Sequence, residues 1–116
     1  MRFKLLPFFL ILVVFVLVGA GCTQKPEPQG IILFVGDGCP HCANVEDLIS
    51  KNNVKDKIPF VTLEVYHNQD NANLMAKKAQ LCGIPLDSMG VPFLWDGAKC
   101  FSGDKDIIDF FQEKIK

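Results

Sequence analysis

The tightest constraint in this sequence is a junction. Ile31-Ile32-Leu33-Phe34-Val35 is an unbroken run of β-forming apolar residues that stops at Gly36-Asp37-Gly38, and Cys39-Pro40-His41-Cys42 follows at once. An apolar run of this length, without polar alternation, fits a strand covered on both faces, as in a parallel sheet with helices above and below it. Beyond the turn, Pro40 suits a first helical position, where its missing N–H costs no hydrogen bond. Cys42, Val45, Leu48 and Ile49 then recur at helical spacing, which predicts a helix over 40–51. A buried strand entering a helix through a tight turn commits the chain to an α/β architecture and sets two cysteines at the helix start.

The remainder continues the alternation. Residues 52–57 read as polar loop, and 59–66, rich in Phe, Val, Thr and Tyr, as a second strand. Turn formers fill 67–73. Helical periodicity resumes over 74–82 and is closed by Gly83 at the C-cap, with Pro85 beyond. After a loop through Asp87, Ser88 and Gly90 comes Val91-Pro92. Residues 93–95 and 98–102, joined at Asp96-Gly97, read as a hairpin. From Asp104, the residues Ile107, Ile108, Phe110, Phe111 and Ile115 mark an amphipathic final helix. The expected order is βαβαββα, a mixed central sheet flanked by helices in one domain over 31–116, with no internal repeat.

The first residues have a different character. Arg2 and Lys4 precede a nearly continuous apolar stretch over 5–18, and Gly19, Ala20 and Gly21 supply the small residues a signal peptidase requires. The stretch is shorter than the roughly 20 residues that span a bilayer comfortably, so a secretory signal over 1–21 is expected rather than a permanent anchor. With Cys22 next, the segment resembles a bacterial lipoprotein signal. That resemblance implies lipidation of Cys22, although Gly19 stands where an aliphatic residue is usual. Residues 22–30 carry two prolines and no apolar pattern, as expected of a flexible tether. An extracytoplasmic, membrane-anchored monomer is the resulting expectation. Loss of 1–21 would remove Arg2 and Lys4 from 12 basic residues and nothing from 13 acidic ones, leaving a charge of about −3. No basic stripe invites nucleic acid.

Export makes the cysteines decisive, because disulfides persist outside the cytoplasm. Unpaired N–H groups and the helix dipole at the N-terminus favour a thiolate, which marks Cys39 as nucleophile. Cys42, one turn inside the helix, can close a disulfide with it and act as the resolving thiol. Pro40 restrains the turn, and a protonated His41 adds positive charge beside Cys39. Cys-x-x-Cys can also be half of a zinc site, but Cys82 and Cys100 do not form the second closely spaced pair such a site needs. No metal and no cofactor are expected.

At this point the chain resembles the thioredoxin superfamily over 31–116, through the strand followed by Cys-x-x-Cys, the element order, and Val91-Pro92 before the hairpin. The resemblance implies a thioredoxin fold, a cis peptide at Pro92 facing the active-site disulfide, and a Val91 backbone that pairs with the substrate chain. Cys-Pro-His-Cys looks like the motif of DsbA-type disulfide oxidases, whose helical insertion roughly 86 residues cannot hold. Size and the Ser102-Gly103-Asp104 turn look closer to glutaredoxins. Ser102 replaces one glycine of their glutathione-binding turn, so glutathione binding is not carried over. Leu33 stands where thioredoxin has a buried aspartate. Asp37 is nearer Cys39 in sequence but reads most simply as a solvated turn residue.

Cys82 and Cys100 are expected to form a structural disulfide, with a second redox pair as the alternative. His67 reads as surface, and Trp95, Phe93 and Phe60 as core. The expected function is thiol-disulfide exchange with exported proteins or a membrane redox protein, with disulfide donation or isomerisation favoured over reduction. The rival is a non-enzymatic lipoprotein that holds or delivers copper between Cys39 and Cys42.

Overall fold

The computed structural model describes residues 21, 22 and 24–116. The secretory-signal reading of 1–21 therefore falls, up to residue 20, outside the described residues. Among the described residues no helix is long and apolar enough to cross a membrane.

Strand β1 (Ile31–Val35) leads into helix α1 (Pro40–Lys51), a single helical turn α2 (Val54–Lys57), and strand β2 (Phe60–Glu64). Helix α3 (Gln69–Leu81) follows. A 3₁₀ turn (Leu86–Ser88) precedes the hairpin of β3 (Phe93–Trp95) and β4 (Cys100–Ser102), and α4 (Asp104–Lys114) closes the chain. The sheet order is β2-β1-β3-β4, with β1 parallel to β2 and antiparallel to β3, and β3 antiparallel to β4.

The sheet separates two apolar layers because side chains alternate along β1. Leu33 and Val35 face α1 and α4, where they pack with Cys42, Val45, Ile49, Leu94, Ile107 and Phe111. Ile32 and Phe34 face α3, where Met75, Ala79 and Phe93 meet them. That two-sided cover is why β1 is apolar at every position. Phe34, Phe93 and Phe111 are wholly buried, each contributing about 2–3 kcal/mol of transfer free energy. Phe60 is half-buried against Phe111, with ring centroids 5.0 Å apart.

Four boundaries differ from the sequence reading, the simplest being β2, which spans Phe60–Glu64 rather than 59–66. Residues 54–57 form α2 rather than loop: Asn53 adopts a left-handed conformation (φ 50°) and turns fully buried Val54 into the core. Helix α3 starts at Gln69, ahead of the expected 74, because Asn68 caps it by accepting from the Asn71 N–H at 3.0 Å. Asn71 in turn donates to the Glu64 carbonyl at 2.8 Å. Of the polar residues that resemble turn formers, exposed Gln69, Asp70 and Asn73 face solvent on the helix's first turns and Asn71 faces β2. The returning strand is also shorter than 98–102, since Ala98 and Lys99 both donate to the Asp96 carboxylate in the turn.

Ordered contacts begin ahead of Ile31. Glu27 pairs with Lys77 and, at 3.3 Å, with Lys78, the one buried charged residue among those described. The Lys78 ammonium also lies 5.2 Å from the centre of the half-buried Trp95 ring, so a carboxylate and an aromatic face replace its lost hydration.

Candidate active site

Cys39 is the N-cap of α1. Its backbone is extended (φ −77°, ψ 116°), and its Sγ accepts from the Cys42 N–H at 3.1 Å, a role usually filled by a Ser, Thr or Asp oxygen. Pro40 takes the first helical position, and Gly36 accepts from the Cys39 N–H at 3.2 Å to close the entering turn. The two sulfurs are bonded, with the Cα atoms 5.2 Å apart. Cys39 is partly exposed whereas Cys42 is 2 % exposed. That asymmetry allows a visiting group to reach the first sulfur and not the second.

The Val91-Pro92 peptide is cis. Pro92 is fully buried, and the Val91 carbonyl oxygen lies 3.8 Å from Cys39 Sγ. The Pro92 carbonyl accepts from the Gly103 N–H at 3.0 Å, which ties this loop to the start of α4. Cys39, Pro40, His41, Cys42, Val91 and Pro92 thus converge at one end of the sheet.

Two features of that end have no obvious sequence signal. On one flank, Asp104 of α4 reaches α1: its Oδ2 lies 3.0 Å from His41 Nδ1 and accepts from Asn44 Nδ2 at 2.7 Å. The bonds from His41, first, and Asn44 hold the Asp104 carboxyl well below its usual range, at about 2. On the other flank, Glu64 accepts from the backbone N–H groups of Asp37 (3.2 Å), Tyr66 (2.6 Å) and His67 (2.9 Å). Desolvation pushes the Glu64 pKa up, but the donors, His67 foremost, outweigh it and the net direction is down. This carboxylate folds two loops beside Cys39. Exposed Asp37 and His67 face each other at 3.5 Å, so His67 is on the surface but has a partner. A polar residue at a strand's end or a helix's first turn gives no clue to which loop it will bond.

Leu33 is fully buried in the layer that holds Cys42, so no carboxylate stands behind that sulfur from β1. Cys22 is free and exposed in the N-terminal segment. Cys82, the C-cap of α3, is bonded to Cys100 of β4, with an S–S distance of 1.99 Å and Cα atoms 6.2 Å apart. Cys100 sits opposite Trp95 in the hairpin, at the end of β3 remote from Pro92, about 10 Å or more along the strand. The two disulfides therefore do not share a site. Among the described residues no three His, Cys, Asp or Glu side chains converge as a metal would require.

Chemically, the Cys39–Cys42 end can hold two electrons as a dithiol or release them as a disulfide, with one sulfur accessible. No protein-family model and no curated protein matches the sequence. Solved structures do match in shape. A thioredoxin-like protein aligns with a TM-score of 0.50 at 19% identity, over 74% of this chain and 99% of its own. Wheat glutaredoxin gives 0.52 at 18% identity, over 92% and 83%. A glutaredoxin from Archaeoglobus fulgidus gives 0.55 at 17% identity, over 83% and 99%. At these identities the likeness establishes the fold, an α/β thioredoxin fold, as the element order implied.

Proposed function

We propose that this chain is an exported thiol-disulfide oxidoreductase, tethered to the outer face of a membrane through lipidated Cys22 and exchanging disulfides through Cys39 and Cys42. The observation that carries the redox reading is the bonded pair at the N-terminus of α1, one sulfur partly exposed and the other buried, facing a cis proline. In the proposed cycle a thiolate attacks one sulfur of a disulfide, a mixed disulfide forms through Cys39, and Cys42 resolves it. The Val91 backbone is the proposed pairing edge for the visiting chain. Export and tethering rest on the charged start, the apolar stretch and the small residues ahead of Cys22. Mass analysis of the membrane-extracted protein tests them: a chain beginning at a diacylated Cys22 is expected, and an unmodified thiol there would refute the lipid anchor.

Disulfide donation is the favoured direction. The helix terminus stabilises the thiolate, and so the reduced form; a protonated His41 adds to this, offset in part by Asp104 at 3.0 Å. Equilibration of the protein with a thiol buffer is expected to give a potential well above the about −270 mV of thioredoxin; a value at or below that would reverse the direction. On the Cys42→Ser variant, physiological partners should accumulate as mixed disulfides through Cys39, identifiable by mass spectrometry.

A further inference from the structure

Resting on that reading, we infer that the site selects partners by charge: the disulfide it exchanges belongs to a cationic polypeptide segment, whose basic side chain settles in the groove beside Cys39. The groove encloses about 600 Å³, and Cys39 and Pro40 form part of its wall. Its charged lining is Asp37, Glu46, Glu64 and His67, with no lysine or arginine; His67 lies 3.5 Å from Asp37, so Glu46 and Glu64 are the lining carboxylates outside that pair. Glu64 is held ionised by three backbone N–H groups, and Glu46 is exposed on α1. Beside the groove the ring of Tyr66, 60% exposed, lies across Gly36, where a Cβ would collide with it.

Carboxylates and an aromatic face next to a reactive sulfur are the elements of cation recognition. The opposite flank adds no free positive charge, since His41 is joined to Asp104 and Lys105 to Asp109. An ammonium or guanidinium in this groove would be attracted by the carboxylates and would also stabilise the Cys39 thiolate. An anionic thiol such as glutathione would meet the opposite field on both counts.

The test compares three small disulfides on the reduced full-length chain in nonionic detergent: cationic cystamine, neutral hydroxyethyl disulfide and anionic glutathione disulfide. In each reaction the Cys39 thiolate attacks one sulfur of the probe, forming a mixed disulfide and releasing one thiolate. Cys42 then attacks Cys39, forming the Cys39–Cys42 bond and releasing the second. Two electrons pass from the protein to the probe, and two protons to the released thiols.

A unit charge at about 8 Å in water changes a rate by a factor of about two, so several carboxylates acting on a divalent probe should separate cystamine from glutathione disulfide by about tenfold or more. Each rate is normalised to that of the neutral probe. The ratio is expected to fall at high salt, to fall in a variant carrying Asp37→Asn and Glu46→Gln, and to fall further with Glu46→Lys. A ratio identical in wild type and variants would overturn the inference while leaving the redox reading intact. No exchange with any of the three probes would bring down the redox reading itself, and the inference with it.

Discussion

The molecule contains the same covalent bond at its two ends, in opposite settings. Cys39–Cys42 closes a separation of 3 residues at the start of a helix, with one sulfur open to a groove. Cys82–Cys100 closes a separation of 18 residues, joining the end of α3 to β4 beside the Lys78 carbonyl, which lies 3.5 Å from Cys100 Sγ. By loop-closure entropy the longer link restrains the unfolded chain by about 3 kcal/mol and the shorter by about 2 kcal/mol. The short link thus adds less stability and stands at the helix terminus that favours its thiolate. The long one staples elements the fold already brings together. In the proposed cycle one end opens and the other stays shut.

The largest expected effect breaks this contrast if it fails. Cys39→Ser should reduce exchange to background and leave the fold intact by circular dichroism. Replacing Cys82 and Cys100 together by Ala should do the reverse, lowering stability by about 3 kcal/mol and Tm by roughly 12 to 24 °C, with exchange within about twofold of wild type. Loss of exchange in a folded Cys82→Ala, Cys100→Ala variant would show that electrons pass through the second pair, and the division of roles would be wrong.

A smaller effect sharpens the picture of the shut end. Lys78 is buried with Glu27 as its counter-charge, while Lys77 shares the same carboxylate from the surface. Glu27→Gln leaves the buried ammonium without its partner, so the urea midpoint should fall, by less than the loss of the staple. Adding Lys78→Met, which replaces the ammonium with an apolar chain of similar length, should restore the midpoint. A midpoint unmoved by Glu27→Gln would mean that the segment before Ile31 contributes nothing to this end.

The two ends also differ in how far the sequence reveals them. The reactive end is legible where local chemistry decides: an apolar run must be covered on both faces, Pro40 fits only a first helical turn, and cysteines three residues apart at a helix start lie within bonding reach. The position of Pro92 opposite them rests on the resemblance, since nothing local to Val91-Pro92 specifies what it faces. The links from Asp104 to His41 and from Glu64 to Asp37 are illegible because they span 63 and 27 residues. The pairing of Cys82 with Cys100 depends likewise on the distance between α3 and β4, which only the packed sheet fixes. Turn α2 has four residues, too few to express a period. At the start of α3, side-chain capping by Asn68 overrides the turn preference of the residues after it.

The smallest expected effect concerns Asp104, which ties α4 to α1 at the reactive end. Its carboxyl, ordinarily near 3.8, is lowered to about 2 in the fold, so the folded state binds this proton less readily than the unfolded chain does. Stability from the contact is therefore fully present above pH 3.8 and is lost as pH falls from there through about 2. Asp104→Asn keeps the shape and removes the charge, so the variant should unfold more easily than wild type at pH 5, with the gap closing as the pH approaches 2. His41 is largely exposed and Asp104 only half-buried, so the gap should be small beside that of the Cys82 and Cys100 variant. Urea midpoints of both proteins across this range measure it. A gap that stayed constant down to pH 2 would mean that the ionised carboxylate adds nothing, and that α1 and α4 are held at the reactive end by their apolar contacts alone.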